Sequence, residues 1–242
     1  MLNRRHAIIA ATSLTGCVAT VPRTAVDDKN FRKMLIVSVL DERIDLRIVD
    51  KTRLSGTLGK QQLPPMSGLN ESVVQIMRNG LTLTRPHIQL VAASSSRDSA
   101  HFERQSRFSG FWTSANRDWV LDSARRQAAD SILLIDDAGE RPEYYSKESG
   151  AAVSYGDSVS TSEVRIFAAA RIQVYSADGS HLNNRYANTT RFYPLSAFRI
   201  DNISRPMEVQ HAHAGLSRAL SLHMVEAVRN AAVQIGYVRA DA

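Results

Sequence analysis

The sequence predicts an α/β (α+β) sandwich, with a single mixed sheet, helices packed on it and a long C-terminal helix. Three observations predict this class. Apolar and polar side chains alternate over residues 163–175, which is typical of a half-buried strand. The short apolar runs at 34–40 and 132–135 have the length of buried strands. After Pro206, apolar residues recur at helical spacing until Gly236.

Length and composition fit a sizeable soluble domain. The chain has 242 residues, of which 43% are hydrophobic and 22% charged, a balance that argues against wholesale disorder and against a polytopic membrane protein. The formal net charge is +6, from 30 Lys and Arg against 24 Asp and Glu. Without Arg4 and Arg5 the balance is 28 against 24, or +4. This charge is weak evidence for nucleic-acid binding, and we expect none.

The first residues have the layout of a bacterial export signal. Arg4 and Arg5 give a positive start, and a short apolar stretch follows at residues 7–14. This stretch is too short to cross a membrane as a helix. General secretion is the expected route, and the arginine pair leaves the twin-arginine route open.

The residues after this stretch resemble a bacterial lipobox. Leu14-Thr15-Gly16-Cys17 places a small residue before a cysteine, which in the lipobox is lipidated on sulfur before cleavage. Cys17 is the only cysteine in the chain. The predicted organisation is a signal peptide at 1–16, a lipidated flexible tether at 17–30 and a periplasmic α/β domain at 31–238. Val18 follows the cysteine where Asp would indicate the inner membrane, so we expect the periplasmic face of the outer membrane.

The domain is predicted to open with two paired strands. The apolar run at 34–40 predicts a buried strand, and the alternation at 44–48 predicts a half-buried strand that pairs back on it. Residues 55–67, rich in Gly and Pro, predict a loop. Within this loop, Gly56 to Lys60 lacks the spacing of a phosphate-binding loop.

Two helices are predicted before the strand at 132–135. Asn70 is expected to cap the first, and a short strand at 87–93 follows it. The inner face of this helix would hold Val73, Met77 and Leu81, with Gly80 near its end. The second helix would start at Ser114 or Asn116 and carry Trp119, Ala124 and Ala128.

The last part of the chain predicts a hairpin and a long helix. Asp178-Gly179 predicts a two-residue turn with positive φ at both positions, between strands at 163–175 and 182–193. A helix should start at Ser204, before Pro206. Its apolar stripe, closed by Gly236, is Val209, Leu216, Leu220, Val228 and Ile235.

Part of this pattern resembles a domain shared by envelope lipoproteins. The resemblance depends on the apolar strand 129–135, the turn Tyr175 to Gly179 and the closing amphipathic helix. The domain occurs in the curli secretion protein CsgG, in lipoprotein activators of penicillin-binding proteins and in the amino-terminal part of TolB. The resemblance spans about 34–236 and implies one sheet with packed helices and a role in the envelope.

No catalytic, metal-binding or cofactor-binding constellation is evident. His211 and His213 point about 200° apart on a regular helix, so they cannot bind one ion together, and with His223 they lack the spacing of a zinc site. The acidic residues Asp136, Asp137, Glu140 and Glu143 predict a solvated loop. We therefore expect no metal, no cofactor and no enzymatic activity.

Two segments are candidates for binding a partner. Residues 97–119 interleave aromatic residues with arginines, as interface hot spots do, and residues 141–161 are rich in Ser, Gly and Tyr. The candidate residues are Arg107, Phe108, Phe111, Trp112, Tyr144 and Tyr145. The alternative interpretation of the aromatic residues is that they pack on the sheet.

The sequence thus favours a non-enzymatic, lipid-anchored binding or assembly factor of the envelope. The membrane would be contacted through the lipid, and the partner would be an envelope protein or a peptidoglycan-associated component. One alternative is a subunit of a secretion or outer-membrane pore, although 141–161 lacks the apolar alternation of a membrane hairpin. A less favoured alternative is an envelope hydrolase, which would need Asp136, Glu140 and a histidine in one pocket.

Overall fold

The computed structural model describes residues 29–40, 42, 45–50, 57–93, 114–137, 150–155, 163–200 and 210–240. The strands are β1 (Lys33–Ser38), β2 (Asp45–Asp50), β3 (Thr57–Gln62), β4 (Gln89–Ala92), β5 (Ser131–Asp137), β6 (Gly150–Tyr155), β7 (Glu163–Ser176) and β8 (His181–Pro194). The helices are α1 (Leu69–Thr84), α2 (Ser114–Arg126) and α3 (His213–Ile235), and a 3₁₀ turn, Leu195–Phe198, follows β8. No helix within these ranges is long and apolar enough to cross a membrane.

The eight strands of the described residues form one mixed sheet in the order β3-β2-β6-β7-β5-β1-β4, with β8 on the other side of β7. Along one edge, β7 pairs with two strands. Residues 163–167 pair with β6, and residues 170–176 pair with β5. Along its opposite edge, β7 pairs with β8. The predicted single mixed sheet is confirmed.

Helices cover the sheet on both faces. On one face α1 and α3 pack on Met34 and Ile36 of β1, and on the other face α2 packs on Leu35 and Val37. Because both faces of β1 are buried, its sequence is a continuous apolar run without alternation. The predicted sandwich with a long C-terminal helix is therefore confirmed.

The contact between β7 and α3 forms a large part of the main core. As the alternation predicted, one face of β7 is buried beneath α3. The predicted core residues of both elements are fully buried: Val164, Ile166, Ile172, Val174, Leu216, Leu220 and Val228. The inner face predicted for α1 (Val73, Met77 and Leu81) is also fully buried.

The predicted pairing of the first two strands is wrong. β2 pairs with β3 in antiparallel and with β6 in parallel orientation, and β1 lies between β4 and β5. Both partners of β2 come from segments that were predicted as loops, 55–67 and 141–161. Their strands contain Gly, Lys and Ala, residue types that are depleted in strands, so the local sequence does not indicate these two strands.

Asn70 does not cap α1, because the helix begins at Leu69 after Gly68, which has a φ of 80°. The Asn70 side chain is buried and joins α1 to the end of β1. Its Oδ1 accepts hydrogen bonds from Ser38 Oγ (2.7 Å) and from the Leu40 amide (2.9 Å), while its Nδ2 donates to the Leu40 carbonyl (3.1 Å). The Asn70 side chain, which the sequence pattern predicts to cap the helix, therefore makes a tertiary contact with β1 and Leu40 instead.

Gly80 lies about one turn before the end of α1 at Thr84, as predicted. A Cβ on Gly80 would lie 2.4 Å from Cγ2 of Val238, so glycine here permits the close approach of the C-terminal segment. The second predicted helix does begin at Ser114. Ala128 lies beyond the end of α2 at Arg126 with a φ of 50°, so its predicted place in this helix is wrong.

The turn between β7 and β8 is not the predicted two-residue type. Of its residues only Gly179 has a positive φ (88°), and the Gly179 amide donates to the Ser176 carbonyl. Asp178 keeps a negative φ, and its carboxylate accepts bonds from the Ser176 hydroxyl and the Ser180 amide. These bonds lower the pKa of Asp178 to about 2. The loop is thus a three-residue turn that ends in a left-handed glycine.

The long helix begins later than predicted. Residues 210–212 form a 3₁₀ turn, α3 begins at His213, and the predicted start at 204–209 lies outside the described residues. The predicted end is confirmed. Gly236 has a φ of 81°, its amide donates to the Val233 carbonyl and the Tyr237 amide donates to the Ala232 carbonyl, as in a Schellman motif.

Candidate functional site

The residues predicted to be lipidated or to bind a partner lie outside the described residues. They are Cys17, Arg107, Phe108, Phe111, Trp112, Tyr144 and Tyr145. The described strands nevertheless show where the two candidate segments depart from the sheet. β4 and β5 both run parallel to β1, so their carboxyl ends lie at the same end of the sheet. Residues 94–113 follow β4 in the sequence, and residues 138–149 follow β5.

A second candidate surface is formed by β8 and α3, and we call it the β8–α3 surface. It comprises Arg191 and Tyr193 of β8 and His223 and Glu226 of α3. These residues come from two elements that pack side by side, and the Thr189 hydroxyl of β8 also donates to the His223 carbonyl (3.2 Å).

The β8–α3 surface is a chain of four side chains. Arg191 Nη2 donates to Glu226 Oε1 at 2.8 Å, and Glu226 Oε2 lies 3.1 Å from His223 Nδ1. His223 Nε2 lies 2.6 Å from the Tyr193 hydroxyl. A carboxylate only accepts, so neutral His223 carries its proton on Nδ1 and accepts the Tyr193 proton on Nε2. The four side chains thus join β8 to α3, and Arg191 and Glu226 form an ion pair within the chain.

The same two elements carry exposed apolar side chains outside this surface, since Phe192 alternates with Arg191 and Tyr193 and faces away from α3. Leu222 is 65% exposed and Phe192 is 59% exposed, and Leu182, near the start of β8, is 44% exposed. Of the described residues, only Leu83 on α1 is another exposed large hydrophobic side chain. The Arg165 guanidinium lies 5.9 Å from the centre of the Phe192 ring. Exposed apolar and aromatic side chains beside arginines are typical of a protein interface.

The histidines considered as metal ligands have separate partners. His211 Nε2 lies 2.6 Å from the Arg199 carbonyl oxygen, and His213 Nε2 lies 2.7 Å from Gln61 Oε1. Burial, and secondarily the charge of His211, lowers the pKa of His213. No three His, Cys, Asp or Glu side chains of the described ranges are grouped so that they could hold a metal ion.

Asp136 of the predicted acidic loop is in fact buried at the end of β5. Arg171 donates to both of its oxygens, from Nε at 2.9 Å and from Nη2 at 2.5 Å, and Gln173 Nε2 donates at 3.2 Å. The Tyr175 hydroxyl in turn donates to Gln173 Oε1. Burial raises the pKa of Asp136 more than Arg171 and Gln173 lower it. A solvated position for Asp136 is therefore wrong; Glu140 and Glu143 lie outside the described residues.

Sequence reasoning missed most of the β8–α3 surface. It considered His223 as a metal ligand and gave no role to Arg191, Tyr193 or Glu226. One signal was present, because His223 and Glu226 are three residues apart on a helix and therefore share a face. Their partners on β8 lie at least 30 positions away in the sequence and become visible only when α3 is docked.

No protein-family model matches this chain, and no curated protein matches its sequence. Among solved structures it is similar to the LpoB C-terminal domain from Salmonella enterica, with 15% identity, coverage of 69% of this chain and 88% of that chain, and a TM-score of 0.28. Lipoprotein GNA1162 from Neisseria meningitidis gives 12% identity, coverage of 82% and 99%, and a TM-score of 0.30. A minor lipoprotein from Acinetobacter baumannii gives 11% identity, coverage of 82% and 92%, and a TM-score of 0.29. These TM-scores are too low to assign a family or a function, and the resemblance to the CsgG and TolB type stays a prediction.

Proposed function

We propose that this protein is a non-enzymatic, lipid-anchored binding or assembly factor of the bacterial cell envelope, held at the periplasmic face of the outer membrane. One observation carries the proposal. The chain begins with a charged and then apolar segment that leads to Leu14-Thr15-Gly16-Cys17, and this places the only cysteine at the lipidation position.

The direction of the strands supports a binding role on the side away from the membrane. The predicted tether enters the sheet at Lys33, the amino end of β1. The segments 94–113 and 138–149 follow the carboxyl ends of strands parallel to β1, at the opposite end. The chain advances 16 positions from Cys17 to Lys33 and spans at most about 55 Å when fully extended. The tether thus joins the sheet at the end opposite to the carboxyl ends of β4 and β5, and its reach lets that opposite end face the periplasm.

We expect Cys17→Ser to remove the protein from membranes, because a single lipidated residue supplies the membrane affinity. Cell fractionation should show the variant as an unprocessed precursor or in the periplasmic fraction, and the unaltered chain in the membrane fraction. Ser13→Ala, within the same signal, is the control and should not change fractionation. A Cys17→Ser variant that remains a mature-sized membrane band would contradict the anchor.

For the partner site, we expect Phe111→Ala combined with Trp112→Ala to abolish crosslinks to the partner in intact envelopes without lowering the melting temperature. Large aromatic side chains bury much area at an interface for a small loss of side-chain entropy. The measurements are crosslinking with pull-down and thermal melting of the purified protein. A lower melting temperature would instead place both rings in the core, and unchanged crosslinks would exclude this segment as the binding site.

A further inference from the structure

The side of α3 that points away from the sheet carries Arg218, Leu222 and Arg229, and we call it the outer face of α3. On a regular helix these three positions lie within about 40° of one another, opposite the buried Leu220. Arg218 and Leu222 are exposed, and Arg229 is half-buried. Helix α3 therefore presents a leucine between two arginines to the solvent.

The two arginines of the outer face have no acidic partner in the part of the chain that the structure describes. Glu226 is the only acidic residue of α3. Its carboxylate is already bound by Arg191 of β8 and by His223. None of the ion pairs among the described residues includes Arg218 or Arg229. The positive charge of the outer face is therefore left for an anionic partner.

The other helices have a more even balance of charge. On the exposed side of α1, Glu71 balances Arg78. On the opposite face of the sheet, α2 carries Asp118 and Asp122 among its three arginines. A surface of high negative charge would thus attract the molecule with α3 turned towards it.

We propose that the outer face of α3 docks on a membrane surface that contains anionic phospholipids. This inference rests on the proposed function, because the lipid on Cys17 has to hold the domain at the membrane. The tether keeps Lys33 within about 55 Å of the lipidated residue. Docking is then an intramolecular step, so a contact too weak to recruit a free protein is sufficient for an anchored one.

Both kinds of side chain on the outer face suit a phospholipid surface. Each arginine near an anionic bilayer strengthens binding by about fivefold. Leu222, which is 65% exposed, can contact the acyl boundary between the headgroups, as apolar residues of interfacial helices do. Docking through α3 leaves α2, on the opposite face of the sheet, directed away from the bilayer.

A fluorescent label on α3 tests the docking. The mature, lipidated protein is anchored in vesicles, and a dye with polarity-dependent emission is attached to Leu222→Cys. Its emission should shift to the blue with phosphatidylglycerol but not with phosphatidylcholine alone, and salt should reverse the shift. The control is Asp118→Cys on α2, an exposed position whose label should keep its emission in every vesicle.

The chain without a new cysteine separates a failure of the anchor from a failure of the docking. Lipidation occupies the sulfur of Cys17, the only cysteine of the chain, so a thiol-reactive dye should not label this protein. Labelling of Cys17 would show that the proposed anchor is absent. An unlabelled Cys17 together with unshifted emission at position 222 would overturn the docking alone.

Removing the two arginines gives a second test. In the chain labelled at position 222, Arg218→Gln with Arg229→Gln should lower the ratio of docked to undocked protein by about tenfold or more. The matched control is Arg125→Gln with Arg126→Gln on α2, two exposed arginines of the opposite face, and it should leave the ratio unchanged. An equal effect of both pairs, or equal shifts at positions 222 and 118, would overturn the proposal. A shift that requires another envelope protein would also overturn it and assign the outer face to that protein.

Discussion

Arg171→Met is expected to lower the free energy of unfolding by about 3–5 kcal/mol at neutral pH, because it leaves a buried carboxylate without its cation. Asp136 is almost fully buried, and Arg171 binds both of its oxygens. Without Arg171, Gln173 Nε2 would still donate to the carboxylate, but no cation would face it there. For a chain of this size the loss corresponds to a melting temperature lower by roughly 2–4 °C per kcal/mol.

The loss should depend on pH, and its direction follows from the pKa of Asp136. Burial raises the pKa of Asp136 in the folded state above its value in the unfolded chain. The stability that Asp136 contributes is therefore fully present below the pKa of the unfolded chain. It is lost as the pH rises through the pKa of the folded state. Without Arg171 the pKa of Asp136 in the folded state rises further, because the guanidinium no longer stabilises the carboxylate against burial. The difference between Arg171→Met and the original chain should therefore be largest at neutral pH and shrink towards pH 4, as followed by urea unfolding at several pH values.

Asp136→Asn provides the control for the buried charge. It keeps the shape of the side chain and removes the charge, and it leaves Arg171, which is 27% exposed, in reach of water. Combining it with Arg171→Met should recover part of the stability lost in the single Arg171 variant. A loss below about 1 kcal/mol for Arg171→Met, or a loss independent of pH, would contradict a buried charge pair at this position.

How far the sequence predicts this fold can be seen by comparing β7 with β2. The alternation in β7 indicates a half-buried strand, and the structure confirms both the strand and its buried face. The alternation at β2 also indicates a strand, but it contains no information about the partner. The actual partners are β3 and β6, whose own sequences are atypical of strands. Periodicity therefore reports burial, whereas the order of the strands depends on contacts between distant segments.

The β8–α3 surface was also hard to predict from the sequence, because it depends on contacts between distant segments. Glu226 and Arg191 are ordinary charged residues in the sequence and become an ion pair only because α3 lies along β8. Asp136 appears as part of an acidic loop, although Arg171, 35 positions later, makes its burial possible. Asn70 has the residue type of a helix cap, but it lies inside the first turn of α1, and Ser38 and Leu40 bind its side chain. In each case a partner distant in sequence decides the role of the residue.

Leu220→Ala is expected to lower the free energy of unfolding by about 2–5 kcal/mol, because it opens a cavity where α3 packs on the sheet. Leu220 is fully buried, and it belongs to the same core as Val164 and Ile172 of β7. Urea unfolding should show a lower midpoint with an unchanged slope, since the surface exposed on unfolding stays the same.

The matched control for Leu220 lies two positions further along α3. Leu222 is 65% exposed, so Leu222→Ala removes the same atoms from the solvent side of the helix. It should change the free energy of unfolding of the dilute protein by no more than about 0.5 kcal/mol. Equal losses for the two variants would mean that α3 does not bury this face against β7. A large loss for Leu220 alone shows that α3 packs on the sheet through this face and leaves Leu222 directed towards solvent.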